Sequence, residues 1–573
     1  MHIRRNYMIN QSRTDFFTKV IFILLICSVI SRLWVAFIYE VNWDEFLFLS
    51  KIYLKQRGTL GDSLQTAYVY LFEWVTLIPG YEVEQVIAGR LFMWGLHCGT
   101  LMMLYYIAKD LLDIQAALFA VLSYSVFSYV TLHAASFRAD PLVGFLMMAA
   151  TSFVYFRRPT IAVILWVSLL VATAILISLK AVLLIPMMVA IAVIKLTNEN
   201  EILYSILRYV IMATSIAVLF VVLHHIHSSL LNTEEVATTT KKVSGIYNYV
   251  IQKQNFLPRW PYITKTLTLT DPYYYLMVAS GFIFVVYNLF TKSRLDKKNL
   301  FLLAFSLPPV AFVFYRNAFP YFFPFILSTM SLLAGYSWSV ISHKSMPKVT
   351  IIALLFLLSM SGYQIYRYGF QAPSVINNEY QKQLINVVHK IFPDPVPYID
   401  GNSMIASFPK IGFFMSTWGM NNYRIAGLPK ISMSISKNKP VFLLQNTTSS
   451  AFKNMSIASN LSLFPDDIKA IRQNFIPHWG PILVAGVDEI IEKEGKVNIT
   501  LPFPGRYTAE LTADVYINGK KVSNGDVLDI DERDISVFSP NKMVKFTLRY
   551  GDNLYRPDFM PLSEIVYMGF YAD

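Results

Sequence analysis

Charge is what this chain has least of. Only 15% of its 573 residues are Asp, Glu, Lys or Arg, against 55% hydrophobic and 15% aromatic. A soluble domain of this length could not cover itself with so little polar surface, so a wholly water-soluble fold is excluded. Cysteine is nearly missing as well. Cys27 and Cys98 are the two present, and both fall inside apolar runs, which excludes a disulfide framework in any exported part. The first apolar run lacks a small-residue cleavage site and its flank keeps its membrane character, so it reads as a retained span and not as a removed signal peptide. Acidic residues are outnumbered, 37 against 49 basic ones, for a net charge of +12 and a pI near 9.3. The excess sits in short clusters between apolar runs, as in cytoplasmic loops, so nothing points to nucleic acid as a partner.

What is present is apolar sequence in long stretches. A hydrocarbon core about 30 Å thick takes roughly 20 apolar residues per helix. On that measure eleven candidate spans precede position 370: 20–39, 86–108, 114–132, 141–156, 160–178, 181–196, 208–226, 273–291, 300–315, 319–341 and 349–367. Arg4, Arg5, Arg13 and Lys19 precede the first; Arg157 and Arg158 separate the fourth from the fifth; Lys292, Arg294, Lys297 and Lys298 separate the eighth from the ninth. These clusters fall on one side of the alternation, which is therefore read as cytoplasmic.

Parity then sends the segments after odd-numbered spans to the opposite face, and they carry the chemistry. Asp44 and Glu45, in V-N-W-D-E-F, follow the first span. Arg138 and Asp140, in H-A-A-S-F-R-A-D-P, follow the third, Lys180 in I-S-L-K-A-V the fifth, and Arg316 in Y-R-N-A-F-P-Y-F the ninth. His224, His225 and His227 close the seventh. The tail beyond 370 belongs to that face too.

The chain divides accordingly. Residues 1–19 form a cytoplasmic N-terminus and 20–370 a membrane domain with outer loops at 40–85 and 227–272. Residues 371–490 read as a soluble α/β layer. E-Y-Q-K-Q-L-I-N-V-V-H-K and D-D-I-K-A-I-R have helical patterns, while P-V-F-L-L and P-I-L-V-A-G are short apolar strand runs. Residues 491–573 show period-two segments with Asn-Gly at 518–519 and 524–525, each marking a tight hairpin in a β-rich module. In the first outer loop, F-L-F-L-S-K-I-Y-L-K-Q-R and A-Y-V-Y-L-F-E-W-V-T-L-I-P-G have the composition of helices lying in the interface plane. The polar stretch 232–270 reads as a lid over substrate or as a plain linker.

The acidic pair after the first span, the second Asp after the third, the large first outer loop and the soluble C-terminal domain together resemble the GT-C superfamily of membrane glycosyltransferases. The similarity is to its protein O-mannosyltransferase and aminoarabinose transferase branch, and it covers about the first 370 residues. Lys180 is similar to the lysine of that branch's Thr-Lys-Gly element, although here its neighbours are Leu179 and Ala181. The stretch R-N-A-F-P-Y-F-F-P-F resembles the Arg and aromatic-Pro segment before a late span. The resemblance implies a polyprenyl-phosphate-linked sugar as donor.

The residue chemistry is consistent with that. A carboxylate at the membrane-water boundary can take the proton of an acceptor hydroxyl, and Asp44 is the candidate base, with Glu45 and Asp140 as further catalytic candidates. The leaving phosphate is a weak base that needs cations more than an acid, and Arg138, Lys180 and Arg316 are candidates to bind it. A single base predicts inversion at the anomeric carbon. Each residue also has a plainer reading. Asp44 and Asp140 suit helix caps, Glu45 solvation, Arg138 an ion pair with Asp140, and Lys180 snorkelling to the interface. His224 and His227 share a helical face and could supply two metal ligands; histidines at a span end more often make interfacial hydrogen bonds, and no metal or other cofactor is assigned.

The expected activity is therefore an inverting glycosyltransferase acting on an envelope glycan, lipid or protein. The alternatives are a transporter or flippase for a lipid-linked substrate, which would place charges at mid-membrane and commonly carry inverted repeats, and a scaffold for the C-terminal domain. Lack of a disulfide framework favours a bacterial inner membrane with a periplasmic active face. The N-x-S/T sequons at Asn446, Asn454, Asn460 and Asn498 are too common a pattern to decide otherwise.

Overall fold

The computed structural model describes residues 2–197, 201–231, 256–291, 296–343, 348–446, 463–563 and 565–569. The chain forms two units. One comprises Met1–Tyr39, Leu54–Ile78 and Ile87–Ile376; the other comprises Glu40–Tyr53, Pro79–Val86 and Asn377–Asp573.

The first unit is helical and crosses a membrane several times. Its helices begin with α1 (His2–Ile38), α3 (Glu82–Leu111), α4 (Ile114–Ser125), α5 (Ser128–His133), α6 (Ala139–Phe156), α7 (Ile161–Ile177), α8 (Ile185–Leu196) and α9 (Ile202–Leu230); α2 (Trp43–Gln56) is taken up with the second unit. Helices at Pro272–Thr291, Lys297–Phe305, Ser331–His343 and Lys348–Gln364 follow. Among the described residues, six helices are long and apolar enough to span, or seven if the pair Pro320–Leu327 and Ser331–Ser342, bent by 59°, is one span. The remaining apolar stretches are helical but short: α4 has 12 residues and α7 has 17. Local chemistry explains the helix starts. The Asp113 carboxylate accepts from Ala116 N–H at 2.9 Å to cap α4, and Thr160 caps α7 through Val163 N–H.

Buried polar groups and glycines tie the helices together. The Arg32 guanidinium on α1 reaches His97 Nε2 on α3 at 2.6 Å and the Ser125 carbonyl at the end of α4. Gly281 lies so near the helix Ser331–His343 that a Cβ there would come 2.1 Å from the Leu333 carbonyl oxygen, and one at Gly335 would come 2.6 Å from that of Ala116. Small residues let membrane helices approach this closely. At the far end of α6, Lys195 Nζ donates to the carbonyls of Val154, Tyr155 and Arg157 at 2.6–2.9 Å, placing a cation on the negative end of the helix dipole.

The second unit is α/β and β-rich. Its strands are β1 (Tyr398–Asp400), β2 (Lys410–Ile411), β3 (Phe442–Leu444), β4 (Phe475–Trp479), β5 (Ile482–Ile491), β6 (Lys496–Thr500), β7 (Gly505–Leu511), β8 (Val515–Ile517), β9 (Lys520–Val522), β10 (Val527–Ile530), β11 (Asp534–Phe538) and β12 (Val544–Tyr550). The larger sheet runs β10-β7-β12-β5-β3-β1-β2 with β4 also on β5, and the smaller runs β6-β11-β8-β9. Among the described residues, β1 pairs in parallel with β2 and β3, and the other strand pairs are antiparallel. Strand β5 is shared: its first residues pair with β3 in the α/β layer and its last with β12 in the β-rich part. Side chains of both sheets, among them Ile491, Tyr507, Val537 and Phe546, fill one apolar core, which is a β-sandwich. The segments expected to be helical form helices at Glu379–Ile391 and Pro465–Asn474.

The first Asn-Gly pair does form a hairpin. Asn518 and Gly519 both have positive φ between β8 and β9, as a type I′ turn requires. The second does not. β9 and β10, on either side of Asn524-Gly525, belong to different sheets, and the Asn524 side chain instead accepts from Leu511 N–H at 2.9 Å. That dipeptide turns the chain from one sheet to the other.

Candidate active site

At the start of α6 the backbone of Arg138 is extended, Asp140 lies in the first helical turn, and Pro141 suits the first turn of a helix. Asp140 is not used as a cap. Its Oδ1 accepts from Lys180 Nζ at 2.7 Å, and its Oδ2 stands 3.7 Å from Arg138 Nε. Lys180 is presented by a 3-10 turn, Leu179–Leu184, between α7 and α8; the Ser178 hydroxyl accepts from its N–H at the start of that turn. Arg138 and Asp140 are 7% and 5% exposed, so the cluster is withdrawn from water and its charges are felt strongly. The three groups together carry a formal charge of +1.

An aromatic wall completes it. The Arg138 guanidinium lies 3.4 Å from the Tyr321 ring centre, with Lys180 Nζ at 5.1 Å from the same ring. Tyr321 stacks on Phe319 at 5.7 Å, and Arg259 lies over Phe319 at 3.9 Å while its Nε donates to the Arg316 carbonyl at 2.9 Å. These contacts hold both guanidinium planes by cation–π packing. The structure thus brings Arg138, Asp140 and Lys180 together, and Arg316 lies on the segment that supplies Tyr321. The Tyr321 ring was not singled out from sequence, although R-N-A-F-P-Y-F was; an aromatic residue gives no sign of which cation it will face.

In the second unit Asp44 and Glu45 open α2. Asn42 accepts from Asp44 N–H at 3.0 Å through its side chain, and Glu45 Oε2 accepts from Asn42 N–H at 3.0 Å. This is a capping box, with Asn42 as cap and Glu45 three residues on. Glu45 is 1% exposed, whereas Asp44 is half-buried. Sequence reading also missed Glu82, buried at the start of α3, which accepts from Ser407 N–H and Oγ and lies 3.1 Å from His389 Nε2.

Of the histidines, His227 has both ring nitrogens engaged, with Thr66 Oγ1 at 2.9 Å and the Tyr70 hydroxyl at 3.2 Å. Among the described residues, no three His, Cys, Asp or Glu side chains group as metal ligands. Most of the stretch read as a lid or linker, 232–255, and the sequons at Asn454 and Asn460 lie outside the described residues.

No protein-family model matches the sequence, and no curated protein does. Solved structures do match. ArnT from Cupriavidus metallidurans, bound to undecaprenyl phosphate, is 12% identical with a TM-score of 0.51, covering 78% of this chain and 95% of that one. The oligosaccharyltransferase AglB from Archaeoglobus fulgidus, with an inhibitory peptide and a dolichol-phosphate, is 9% identical with a TM-score of 0.50, covering 95% of this chain and 97% of its own. The same organism's enzyme with Zn and sulfate gives 9% and 0.51 over 94% and 98%. Both proteins are GT-C membrane glycosyltransferases. The chain is a multi-pass membrane protein with the GT-C fold.

Proposed function

We propose that the protein is an inverting glycosyltransferase that moves a sugar from a polyprenyl-phosphate donor to an envelope glycan, lipid or protein. The observation that carries this reading is the withdrawn cluster of Arg138, Asp140 and Lys180 against Tyr321 at the start of a membrane helix. A net positive, partly dehydrated pocket with one forked and one point-like cation suits a phosphate ester. The fold supports it, since ArnT was solved with undecaprenyl phosphate and AglB with a dolichol-phosphate.

In this reading Arg138 and Lys180 hold the lipid phosphate, with Arg316 as a third cation, and Asp140 keeps the two first cations in place. The acceptor hydroxyl oxygen attacks the anomeric carbon, the bond from that carbon to the phosphate oxygen breaks, and the proton passes to a carboxylate base, the role for which the sequence offers Asp44. The lipid phosphate leaves as an anion that the cations already neutralise. With one displacement the anomeric configuration inverts. The basic clusters between spans support chemistry on the exported face, and the reading sets the protein in a bacterial inner membrane with its C-terminal region in the periplasm. The test is to give purified protein in detergent a panel of polyprenyl-phosphate sugars. Release of polyprenyl phosphate with inverted product, lost in Arg138→Ala and Lys180→Ala, supports the reading; no consumption of any lipid-linked donor refutes it.

A further inference from the structure

The larger sheet ends at Tyr550, yet the chain runs on, and its residues 551–563 and 565–568 form no helix or strand. Segments of that length without structure of their own are uncommon in a folded domain unless they do something. This one is pinned along its path. Asn553 N–H donates to Thr508 Oγ1, His478 Nε2 to the Tyr555 carbonyl, Trp479 Nε1 to the Phe559 carbonyl at 2.8 Å, and Leu562 N–H to Gln383 Oε1 at 2.9 Å.

Its end is fastened to the turn that precedes α2. The N–H groups of Met568 and Gly569 both donate to the Glu40 carboxylate, the latter at 3.1 Å. Gln381, fully buried, acts as a two-sided clip. Its Oε1 accepts from Val41 N–H at 2.8 Å, and its Nε2 donates to the Val41 carbonyl at 2.9 Å and to the Val566 carbonyl at 3.3 Å. The Trp43 ring meets the Tyr567 ring edge-on at 5.7 Å. The residues on either side of Asn42 and Asp44 are thus held by the last part of the chain, more than 500 positions away in sequence. Burial pushes the Tyr567 phenol well above its ordinary value; the charges of Asp400, Glu40 and Asp44 push the same way, against a hydrogen bond with Asn402.

We infer that Glu40, Gln381 and the C-terminal strap formed by residues 551–563 and 565–569 are positioning elements for Asp44, fixing the turn from which its carboxylate works. The inference rests on the function proposed above. Glu40 is a carboxylate that the transfer step does not use, and both of its oxygens receive backbone donors from the strap. The turn between α1 and α2, residues 39–42, carries no regular structure of its own to fix it, and misplacement of a reacting group by about 1 Å costs on the order of 100-fold in rate.

The experiment uses the full membrane protein and a version ending at Pro561, to which a fluorescent peptide of residues 562–573 is returned. The expected result is saturable peptide binding to the shortened protein, weakened by Glu40→Ala. With the polyprenyl-phosphate sugar that the intact protein consumes, kcat should drop at least about tenfold with donor KM unchanged, and the peptide should restore it. Glu40→Gln and Gln381→Leu in the full chain should lower kcat in the same way while the unfolding temperature stays at that of the parent. A shortened protein with undiminished kcat, or full activity in both full-chain variants, overturns the inference. Absence of peptide binding overturns the docking step even if sugar transfer is intact, whereas peptide binding without any transfer by the intact protein faults the proposed function instead.

Discussion

Two adjacent carboxylates, Asp44 and Glu45, meet different fates because they take different places in the first turn of α2. Glu45 occupies the third helical position and returns to the Asn42 N–H, so its oxygen is committed to the helix start. Asp44 sits one residue earlier, tied through its backbone to Asn42. Glu45→Gln should therefore retain most sugar transfer and lose on the order of 1 kcal/mol of stability, measured by thermal unfolding beside the transfer assay. At the other candidate cluster, Arg138→Lys removes a planar fork stacked on Tyr321 while keeping the charge. Donor KM should rise roughly tenfold, the equivalent of about 1.4 kcal/mol, with a smaller change in kcat. The charged members of this cluster were legible from sequence because ionisable residues beside apolar spans are few, and parity gathers them on one face. Tyr321 was not, since 35 tyrosines and 42 phenylalanines share its chemistry and only the fold selects one. Glu40, four residues before Asp44, was equally visible as an acid, but its partners Met568 and Gly569 lie at the opposite end of the chain.

Helices and strands divide in the same manner between what local pattern dictates and what tertiary context decides. Every apolar stretch marked as a span contains helix, because each lacks enough polar residues to do anything else in hydrocarbon. Length is less readable: α4 and α7 are short for a straight crossing, and the stretch at 319–341 bends by 59° at the break between Leu327 and Ser331. Crossing distance is set by residues that sequence pattern does not flag. Gly281→Ala should destabilise the membrane unit by about 1–3 kcal/mol through its clash with the Leu333 carbonyl, read as a lower unfolding temperature in detergent. Among the strands, Asn518-Gly519 and Asn524-Gly525 look alike, and only the pairing of their flanks shows that the second is a crossing between sheets.

The β-rich part also carries a pH signature. Burial alone would raise the Glu510 carboxyl, but hydrogen bonds and charge from Arg549 and Arg556 outweigh it and hold it at about 2. A depressed pKa adds stability at pH values above the unfolded one, and that contribution fades as pH falls from about 4.5 toward about 2. Amide protection of β7 and β12 in the full chain, corrected for intrinsic exchange, should fall across that window. In Glu510→Gln it should start lower and fall less.

At the scale of the whole molecule, a membrane helical unit carries the cation cluster and an α/β and β-rich unit carries the acidic turn with the strap that holds it. The fold class was readable because composition, the long apolar runs and the change of character after residue 370 all say the same thing, whereas the eleven spans expected exceed the six or seven helices of spanning length among the described residues. The two units were not, because the second takes in Glu40–Tyr53 and Pro79–Val86 from the first outer loop. A sequence reading assigns a loop to the spans on either side of it, whereas packing assigns it to whatever buries its side chains.

The account depends most on the paired roles of Asp44 and Asp140. Sugar transfer from a polyprenyl-phosphate donor, measured for the parent protein, Asp44→Asn and Asp140→Asn at saturating donor, tests them together. Loss of a general base lowers kcat by about 100- to 10,000-fold, so Asp44→Asn should fall in that range while still binding the lipid phosphate. Asp140→Asn, which leaves Lys180 and Arg138 without their shared carboxylate, should lose both donor affinity and rate. Undiminished transfer by Asp44→Asn would contradict the account.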